Sequence, residues 1–173
     1  MKLIVGLGNP GKEYEKTRHN VGFIILDNMN SLTWKKRDNY LYAEDITQSE
    51  KVIYLKPQTF MNLSGEAVLK AASYYKIDSK DILVIRDDLD LPENTYKIKF
   101  NSSSGGHNGI KDIIKCLKTE EFTQLKIGIG ENKFDTINYV LGKLSKKNIE
   151  YLNSDIFKDI VNSFINDGIE STL

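Results

Sequence analysis

The sequence predicts an α/β fold, with a single domain over residues 1–173 and a central mixed β-sheet flanked by α-helices. Two observations predict it. Apolar runs typical of buried strands alternate along the chain with amphipathic stretches typical of helices. In addition, 173 residues with 40% hydrophobic side chains are enough for one globular domain with its own core.

The elements follow in order from the local patterns. A continuous apolar run that ends in glycine predicts a buried first strand over Lys2–Gly8. Apolar positions among polar ones then predict a helix over Arg18–Met29. Further strands are predicted over Tyr40–Ile46, Val52–Lys56, Ile82–Arg86, Thr95–Phe100 and Leu125–Gly130. Further helices are predicted over Leu63–Tyr75, Asn108–Leu117 and about Ser145–Asn166.

Composition excludes several classes of protein. No apolar run approaches the roughly 18 residues of a membrane span, and Asn9, Pro10 and Gly11 interrupt the apolar start before it could act as a signal segment. We therefore expect a cytoplasmic protein. The single cysteine, Cys116, cannot form an intramolecular disulfide, and two histidines in the whole chain disfavour a dedicated zinc site.

The net charge is zero, but its distribution is uneven. Residues 95–147 contain ten basic side chains against five acidic ones, whereas residues 148–173 contain one against five. Within the basic part, Lys97 and Lys99 alternate with apolar residues, so one strand face could present ammonium groups to phosphates. A solvated lysine face would give the same pattern.

The segment Gly6-Leu7-Gly8-Asn9-Pro10-Gly11 matches the G-x-G-x-x-G pattern of dinucleotide-binding turns. A nucleotide-dependent oxidoreductase is therefore one alternative. That class, however, expects a helix to begin at the third glycine and an acidic residue at the end of a second strand. Here Pro10-Gly11 indicates a turn, and Asp27 falls inside a predicted helix.

Two segments supply candidates for acid–base chemistry. His19 lies just before the predicted first helix, where it could be exposed to solvent or could serve as a base in a cleft. Asp87, Asp88 and Asp90 follow a predicted strand and could hold a metal, begin a turn, or supply a carboxylate that accepts a hydrogen bond from a histidine ring.

Two further loops precede predicted helices. Asn62 or Ser64 could cap the second helix, and Ser64 lacks the G-x-S-x-G context of a serine nucleophile, which favours attack by water. Residues 102–109 form a small-residue stretch, predicted to be flexible, that could bring backbone N–H groups close to a ligand.

Taken together and in this order, the segments resemble the bacterial-type peptidyl-tRNA hydrolase family across nearly the whole chain. The resemblance rests on GLGNPGKEYEKTRHNVGF (6–23), KPQTFMNLSGEAV (56–68), ILVIRDDLDLP (82–92), GGHNGIKDII (105–114), LKIGIG (125–130) and YVLGK (139–143). It implies hydrolysis of the ester between a peptide and the 3′ ribose of tRNA, without a cofactor or a metal, by a monomer.

The resemblance also implies roles for individual residues. His19 matches the general base that activates water, Asp87 the carboxylate that orients it, and Asn9 the asparagine that helps to distinguish blocked from free aminoacyl groups. Residues expected to bind the peptide or the tRNA are Tyr14, Phe60, Asn62, Asn108, Lys99 and Lys126, the last two as a pair that holds the 5′ phosphate. Lys126 replaces a frequent arginine and so loses the bidentate fork.

The sequence departs from the family in two places, neither of which touches the proposed catalytic residues. Ser102–Ser104 replace a loop that is usually richer in glycine, and the chain ends soon after the last predicted helix, where members often continue. A non-catalytic RNA-binding module is the other alternative, and it would rest on Lys97, Lys99, Lys111, Lys115 and Lys126.

Overall fold

The structure is a computed structural model that describes residues 1–29, 32–47, 49–131 and 134–172. Seven strands within these ranges form one sheet in the order β2-β3-β4-β1-β5-β7-β6. The strands are β1 (Lys2–Gly6), β2 (Lys35–Arg37), β3 (Tyr40–Asp45), β4 (Val52–Pro57), β5 (Ile82–Asp88), β6 (Tyr96–Phe100) and β7 (Thr123–Gly128).

The sheet is mixed, as predicted. The four central strands β4, β1, β5 and β7 run parallel, while β3 and β6 pair antiparallel with their neighbours. Every residue of β4 and β5 is buried. Burial on both faces explains why these strands are continuous apolar runs in the sequence.

Helices cover both faces of this sheet. They are α1 (Val21–Asp27), α2 (Ser64–Tyr75), α3 (Asn108–Leu117), α4 (Thr136–Val140), α5 (Lys146–Leu152) and α6 (Asp155–Thr172). Apolar residues of α2 and α3 build the core on one face, and those of α1, α5 and α6 build the core on the other. In the part of the chain that is described, no helix is long and apolar enough to cross a membrane.

Most predicted elements are confirmed, and α3 has the bounds that the sequence predicts. The single helix predicted over Ser145–Asn166 is wrong, because α5 and α6 are separate. The break falls at Asn153-Ser154, where the Ser154 hydroxyl accepts a hydrogen bond from the backbone of Ile156 at 3.3 Å. Serine and asparagine compete in this way for backbone groups and favour helix ends over helix interiors.

Three other predictions need correction. The last predicted strand, Leu125–Gly130, is β7 and begins two residues earlier. The first helix begins as a 3-10 turn over Arg18–Asn20 before α1. Strand β2 and helix α4 were not predicted, because they are short and mostly exposed and therefore lack a clear apolar period.

Close contact between α2 and α3 depends on Gly65. A β-carbon at this position would lie 2.2 Å from the backbone oxygen of Asp112. The Gly65 amide also donates a hydrogen bond of 2.8 Å to the Asp112 carboxylate. The two helices can approach so closely only because residue 65 has no side chain.

We predict that Gly65→Ala lowers the free energy of unfolding by roughly 1–3 kcal/mol, because the clash outweighs alanine's higher helix propensity of about 1 kcal/mol. Urea unfolding followed by circular dichroism measures it. Lys70→Ala, at an exposed position of the same helix, is the control and should change stability by less than about 0.5 kcal/mol. Equal stability of the two variants would contradict the close-contact argument.

Candidate active site

A cleft lies at the carboxyl end of β5. Its cavity has a volume of about 300 Å³ and is lined by His19, Asp87, His107 and Asn108, among others. In parallel sheets, ligands bind in crevices at this end of the strands. The chain thus brings together side chains that are far apart in sequence.

His19 and Asp87 are hydrogen-bonded within this cleft. The Nδ1 atom of His19 lies 2.9 Å from Oδ1 and 2.8 Å from Oδ2 of Asp87. The Asp87 side chain is buried, while 13% of the His19 side chain is exposed. Since an ionised carboxylate only accepts hydrogen bonds, Nδ1 carries the proton. Nε2 of neutral His19 therefore keeps its lone pair for water or a ligand.

Electrostatics favour this arrangement. Burial alone would raise the pKa of Asp87, but the two adjacent imidazoles hold it well below its usual range. Burial alone would lower the pKa of His19, yet the charge of Asp87 and its hydrogen bonds outweigh burial and raise that pKa above 6.5. Asp87 is thus an anion that steadies the protonated form of His19.

His107, for which the sequence predicts no role, is part of the same cluster. Its Nε2 atom lies 2.8 Å from Oδ1 of Asp87, and the centroid of its ring lies 5.0 Å from that of His19. One signal was available: His107 is one of the two histidines in the chain and stands at the start of a predicted helix. Only the fold shows that it faces the carboxylate of β5.

Contacts with α4 and with the segment after it hold the turn that carries His19. The Arg18 backbone donates to the Gly142 carbonyl at 3.0 Å, and the Arg18 guanidinium donates to the Tyr139 carbonyl at 3.0 Å. The same guanidinium lies 4.1 Å from the centre of the Tyr139 ring. A β-carbon at Gly142 would lie 2.4 Å from this guanidinium and would displace it. These contacts of Arg18 fix the position of the turn that carries His19.

Asn9 is buried in a network that determines how its amide is oriented. Its Oδ1 accepts a hydrogen bond of 2.8 Å from the Met61 backbone. Its own backbone N–H donates to Asn20 Oδ1 at 2.9 Å, and Asn20 Nδ2 donates to the Asn9 carbonyl at 3.0 Å. Asn9 Nδ2 has no partner among the described residues. The side chain therefore offers a donor, with its oxygen already engaged.

The other predicted peptide- and tRNA-binding residues lie mostly outside the walls of this cavity. Asn108 lines the cavity and is exposed. Asn62 is exposed on a 3-10 turn before α2 and does not line the cavity. Phe60 is 58% exposed and packs edge-on against Tyr14, with ring centroids 6.5 Å apart. An aromatic ring exposed to this extent is available for stacking against a partner.

Lys99 and Lys126 lie on adjoining strands. In the ladder, Lys97 pairs with Lys126, and Lys126 pairs in turn with Arg86. Lys99 is exposed and follows Lys97 on the same side of β6. Burial first, and then the positive charges of Arg86, Lys99 and Lys97, lower the pKa of Lys126. Such mutual repulsion indicates a surface suited to anions.

The loop over Ser102–Ser104, expected to be flexible, is anchored to the sheet. Arg86 donates to the Ser104 carbonyl at 3.0 Å, Gln124 donates to the Ser102 carbonyl at 3.0 Å, and Lys126 donates to the Ser102 hydroxyl at 3.2 Å. Gly105 and Gly106 follow with positive φ angles of 56° and 85°. The chain turns at these two glycines, and His107, which follows them, lies within hydrogen-bonding distance of Asp87.

The glycine pattern after β1 serves packing. A β-carbon at Gly8 would lie 2.7 Å from the Phe23 ring, and one at Gly6 would lie 2.4 Å from the Gly22 carbonyl. A three-residue 3-10 turn, Lys12–Tyr14, follows the third glycine, Gly11, in place of an α-helix. The pyrophosphate site of a dinucleotide needs the N-terminus of a helix there.

A larger cavity, of about 580 Å³, is lined by Asn9, which does not line the smaller cleft. Its walls include Lys12, Asp27 and Lys56, but neither His19 nor Asp87. Lys56 is paired with Asp27, and the ammonium group also lies 4.2 Å from the centre of the Trp34 ring. We place the chemistry in the smaller cleft because the polarised imidazole is there.

His19, Asp87 and His107 could also bind a metal, because one ligand atom from each lies within 4.8 Å of the other two. Two imidazoles and a carboxylate suit zinc or another transition metal. The distances of 2.8–2.9 Å between these atoms, however, are those of ordinary hydrogen bonds and need only protons.

Comparisons with known proteins agree on one family. Residues 3–173 match the family model described as peptidyl-tRNA hydrolase. A peptidyl-tRNA hydrolase of Clostridium acetobutylicum is 48% identical, over 100% of this chain and 96% of the relative. One of Listeria monocytogenes is 47% identical, over 84% of this chain and 81% of the relative. The crystal structure of peptidyl-tRNA hydrolase from Acinetobacter baumannii matches with a TM-score of 0.84 at 31% identity, covering 99% of this chain and 94% of that one.

We predict that Asp87→Asn lowers the pKa of His19 from above 6.5 to below it, because burial still disfavours the imidazolium once the anion is gone. NMR titration of the His19 ring protons measures the pKa. Asp90→Asn removes the same charge from the cavity wall without a bond to His19 and is the matched control, with a smaller expected shift. Equal shifts in the two variants would contradict a specific role for Asp87.

Proposed function

Because the chain belongs to the peptidyl-tRNA hydrolase family, which hydrolyses the ester joining a peptide to tRNA, we propose that His19 is the general base of this reaction. One observation carries the proposal. The imidazole is hydrogen-bonded through Nδ1 to a buried carboxylate and faces a cleft with Nε2 unpartnered in the described part of the chain. A nucleotide-dependent oxidoreductase would not explain both this arrangement of His19 and Asp87 and the membership of the family. A purely RNA-binding protein would not explain them either.

The reaction then proceeds in two stages. Neutral His19 takes a proton from water through Nε2 while the water oxygen bonds to the ester carbonyl carbon. The tetrahedral intermediate collapses, the bond from carbon to the ribose 3′ oxygen breaks, and His19 returns its proton to that oxygen. The products are a peptide with a free carboxyl group and tRNA. Asp87 fixes the tautomer and stabilises the imidazolium form between the two stages.

Asn9 serves as a donor in this proposal. Its oxygen is engaged by the Met61 backbone, so its Nδ2 is the group available to a substrate carbonyl or a developing oxyanion. A fixed donor favours a substrate that has a peptide carbonyl. A free aminoacyl group has no carbonyl other than that of its ester. This gives a physical basis for discriminating N-blocked from free aminoacyl-tRNA.

The remaining predicted residues bind the rest of the substrate. Asn62 and Asn108 hold the peptide and the 3′ end and position the water. The exposed ring of Phe60, which packs against the half-buried Tyr14, stacks against the tRNA end. Lys99 and Lys126 hold the 5′ phosphate. Burial, and then repulsion from neighbouring positive charges, lower the pKa of Lys126, and a bound anion would relieve that repulsion. Lys126 forms only single hydrogen bonds there, unlike an arginine.

We also propose that residues 1–173 act as one catalytic domain, as a monomer, in the cytoplasm. The sheet and both cores are continuous along the described chain. The cytoplasmic location follows from the substrate, because peptidyl-tRNA is a product of translation. Light scattering of the purified protein tests the oligomeric state.

We predict that His19→Ala lowers kcat for N-acetyl-aminoacyl-tRNA by at least about 10²-fold, because the general base is lost, while tRNA binding is retained. Hydrolysis of the ester and binding of intact tRNA are measured in parallel. For the wild type, kcat/KM should rise with pH through the pKa of His19, which lies above 6.5, since only neutral imidazole accepts a proton.

Two results would speak against this mechanism. One is a His19→Ala variant with nearly full turnover, and the other is a rate that falls as pH rises through this range. A wild type that binds tRNA but releases no peptide would leave only an RNA-binding role.

We predict that Lys99→Gln and Lys126→Gln each reduce the slope of log binding constant against log salt concentration by about 0.7–0.9, because each removes one phosphate contact. Binding of tRNA at several salt concentrations gives the slope. Lys70→Gln, at an exposed position on α2, removes the same charge away from this surface and should leave the slope unchanged. Equal effects at all three positions would show that only total charge matters.

A further inference from the structure

The carboxylate of Asp87 is shared between two imidazoles. Its Oδ1 lies 2.9 Å from Nδ1 of His19 and 2.8 Å from Nε2 of His107, and its Oδ2 lies 2.8 Å from Nδ1 of His19. The proposed mechanism uses the contact with His19 and leaves the contact with His107 unexplained. His107 is buried, with only 4% of its side chain exposed.

The second ring nitrogen of His107 determines its protonation state. Nδ1 accepts hydrogen bonds from the backbone N–H groups of Gly109 at 3.1 Å and Ile110 at 3.2 Å, at the N-terminus of α3. A nitrogen that accepts from two donors carries no proton. His107 is therefore neutral and holds its one proton on Nε2, which donates it to Asp87.

Charges around the cluster keep His107 in this state. Burial lowers the pKa of His107, and Arg86 and His19 lower it further, so that the opposing charge of Asp87 is outweighed. The titratable and charged groups that face the two imidazoles are Arg86 and Asp87 on β5, with Asp90 on the cavity wall. Arg18, next to His19, is turned away onto Tyr139.

We propose that His107 is a positioning residue for the hydrolysis: as a permanently neutral donor it holds Asp87 in the orientation that faces His19 and takes up part of the carboxylate's charge. The inference rests on the proposed role of His19 as the base. Without the hydrogen bond from His107, the full negative charge of Asp87 would act on His19 and raise the pKa of its imidazole. Less of His19 would then be the neutral base at a given pH. His107 thus extends the range of pH over which His19 can accept a proton from water.

Two substitutions separate the two hydrogen-bonding roles of His107. His107→Asn keeps an oxygen that caps α3, since asparagine is among the best N-cap residues, but its amide is too short to reach Asp87. His107→Gln keeps an N–H group at a reach similar to that of Nε2, but it is a poor cap. If His107 only caps α3, the activity of each variant should depend on whether the cap is kept. If His107 positions Asp87, the activity should depend on whether the N–H donor is kept.

The test is the pH dependence of kcat/KM for N-acetyl-aminoacyl-tRNA, with thermal unfolding of each variant. The acid limb is the range of pH in which kcat/KM rises as His19 loses its proton. We expect its midpoint to lie roughly 0.5–1 unit higher in His107→Asn than in the wild type. The rate below the midpoint should fall by roughly 3- to 10-fold, since the neutral fraction of His19 changes by that factor. His107→Gln should keep the wild-type limb while its Tm falls.

An unmoved acid limb in His107→Asn, or a limb that moves in His107→Gln alone, would overturn the inference and leave His107 as a helix cap. The wild type and His19→Ala are measured in the same series. If the wild type releases no peptide, or if His19→Ala retains turnover, the proposed function itself fails. If those two behave as expected and His107→Asn has the wild-type limb, only the positioning role fails.

Discussion

The buried carboxylate of Asp87 is the constraint on which the rest of the site depends. A carboxylate that is 2% exposed at the end of an apolar strand is costly unless it is fully hydrogen-bonded. Here the donors are two imidazoles, one from the turn before α1 and one from the loop before α3. The second nitrogen of each ring has a different environment: Nε2 of His19 faces the cleft, and Nδ1 of His107 caps α3. The same anion therefore both orients a base and fixes a loop.

The fold supplies the close approaches that this arrangement needs. Strands β1 and β5 are adjacent and parallel, so that the segment after β1 and Asp87 at the end of β5 lie side by side. Gly22 brings α1 into contact with both, because a β-carbon there would lie 2.3 Å from the Leu7 backbone nitrogen. Arg86 donates to the Asp87 carbonyl at 2.9 Å and to the Ser104 carbonyl at 3.0 Å. One buried guanidinium thus joins the strand that holds the carboxylate to the loop that delivers His107.

Much of this could be predicted from the sequence, because strong local patterns coincide with buried elements. The apolar runs of the parallel strands and the amphipathic α3 were predictable from these patterns. The pairing of His19 with the carboxylate of Asp87 was expected only from the resemblance to the family, because the patterns left other uses of that carboxylate open. The role of His107 was not, since it depends on which side of Asp87 a distant loop occupies. The orientation of the Asn9 amide was also hidden, because it is set by a backbone N–H of Met61, 52 residues away. Short exposed elements such as β2 and α4 have too few buried positions to show a period.

One ionised carboxylate accepts hydrogen bonds from a protonated ring nitrogen of each of two histidines. Nitrogen-15 NMR of the imidazoles in the wild-type protein, recorded between pH 5 and pH 9, locates these protons, since protonated and unprotonated ring nitrogens have separate chemical shifts. We predict that His107 keeps its proton on Nε2 throughout the range and that neutral His19 carries its proton on Nδ1. A His107 that becomes doubly protonated within this range, or a neutral His19 with its proton on Nε2, would contradict the account.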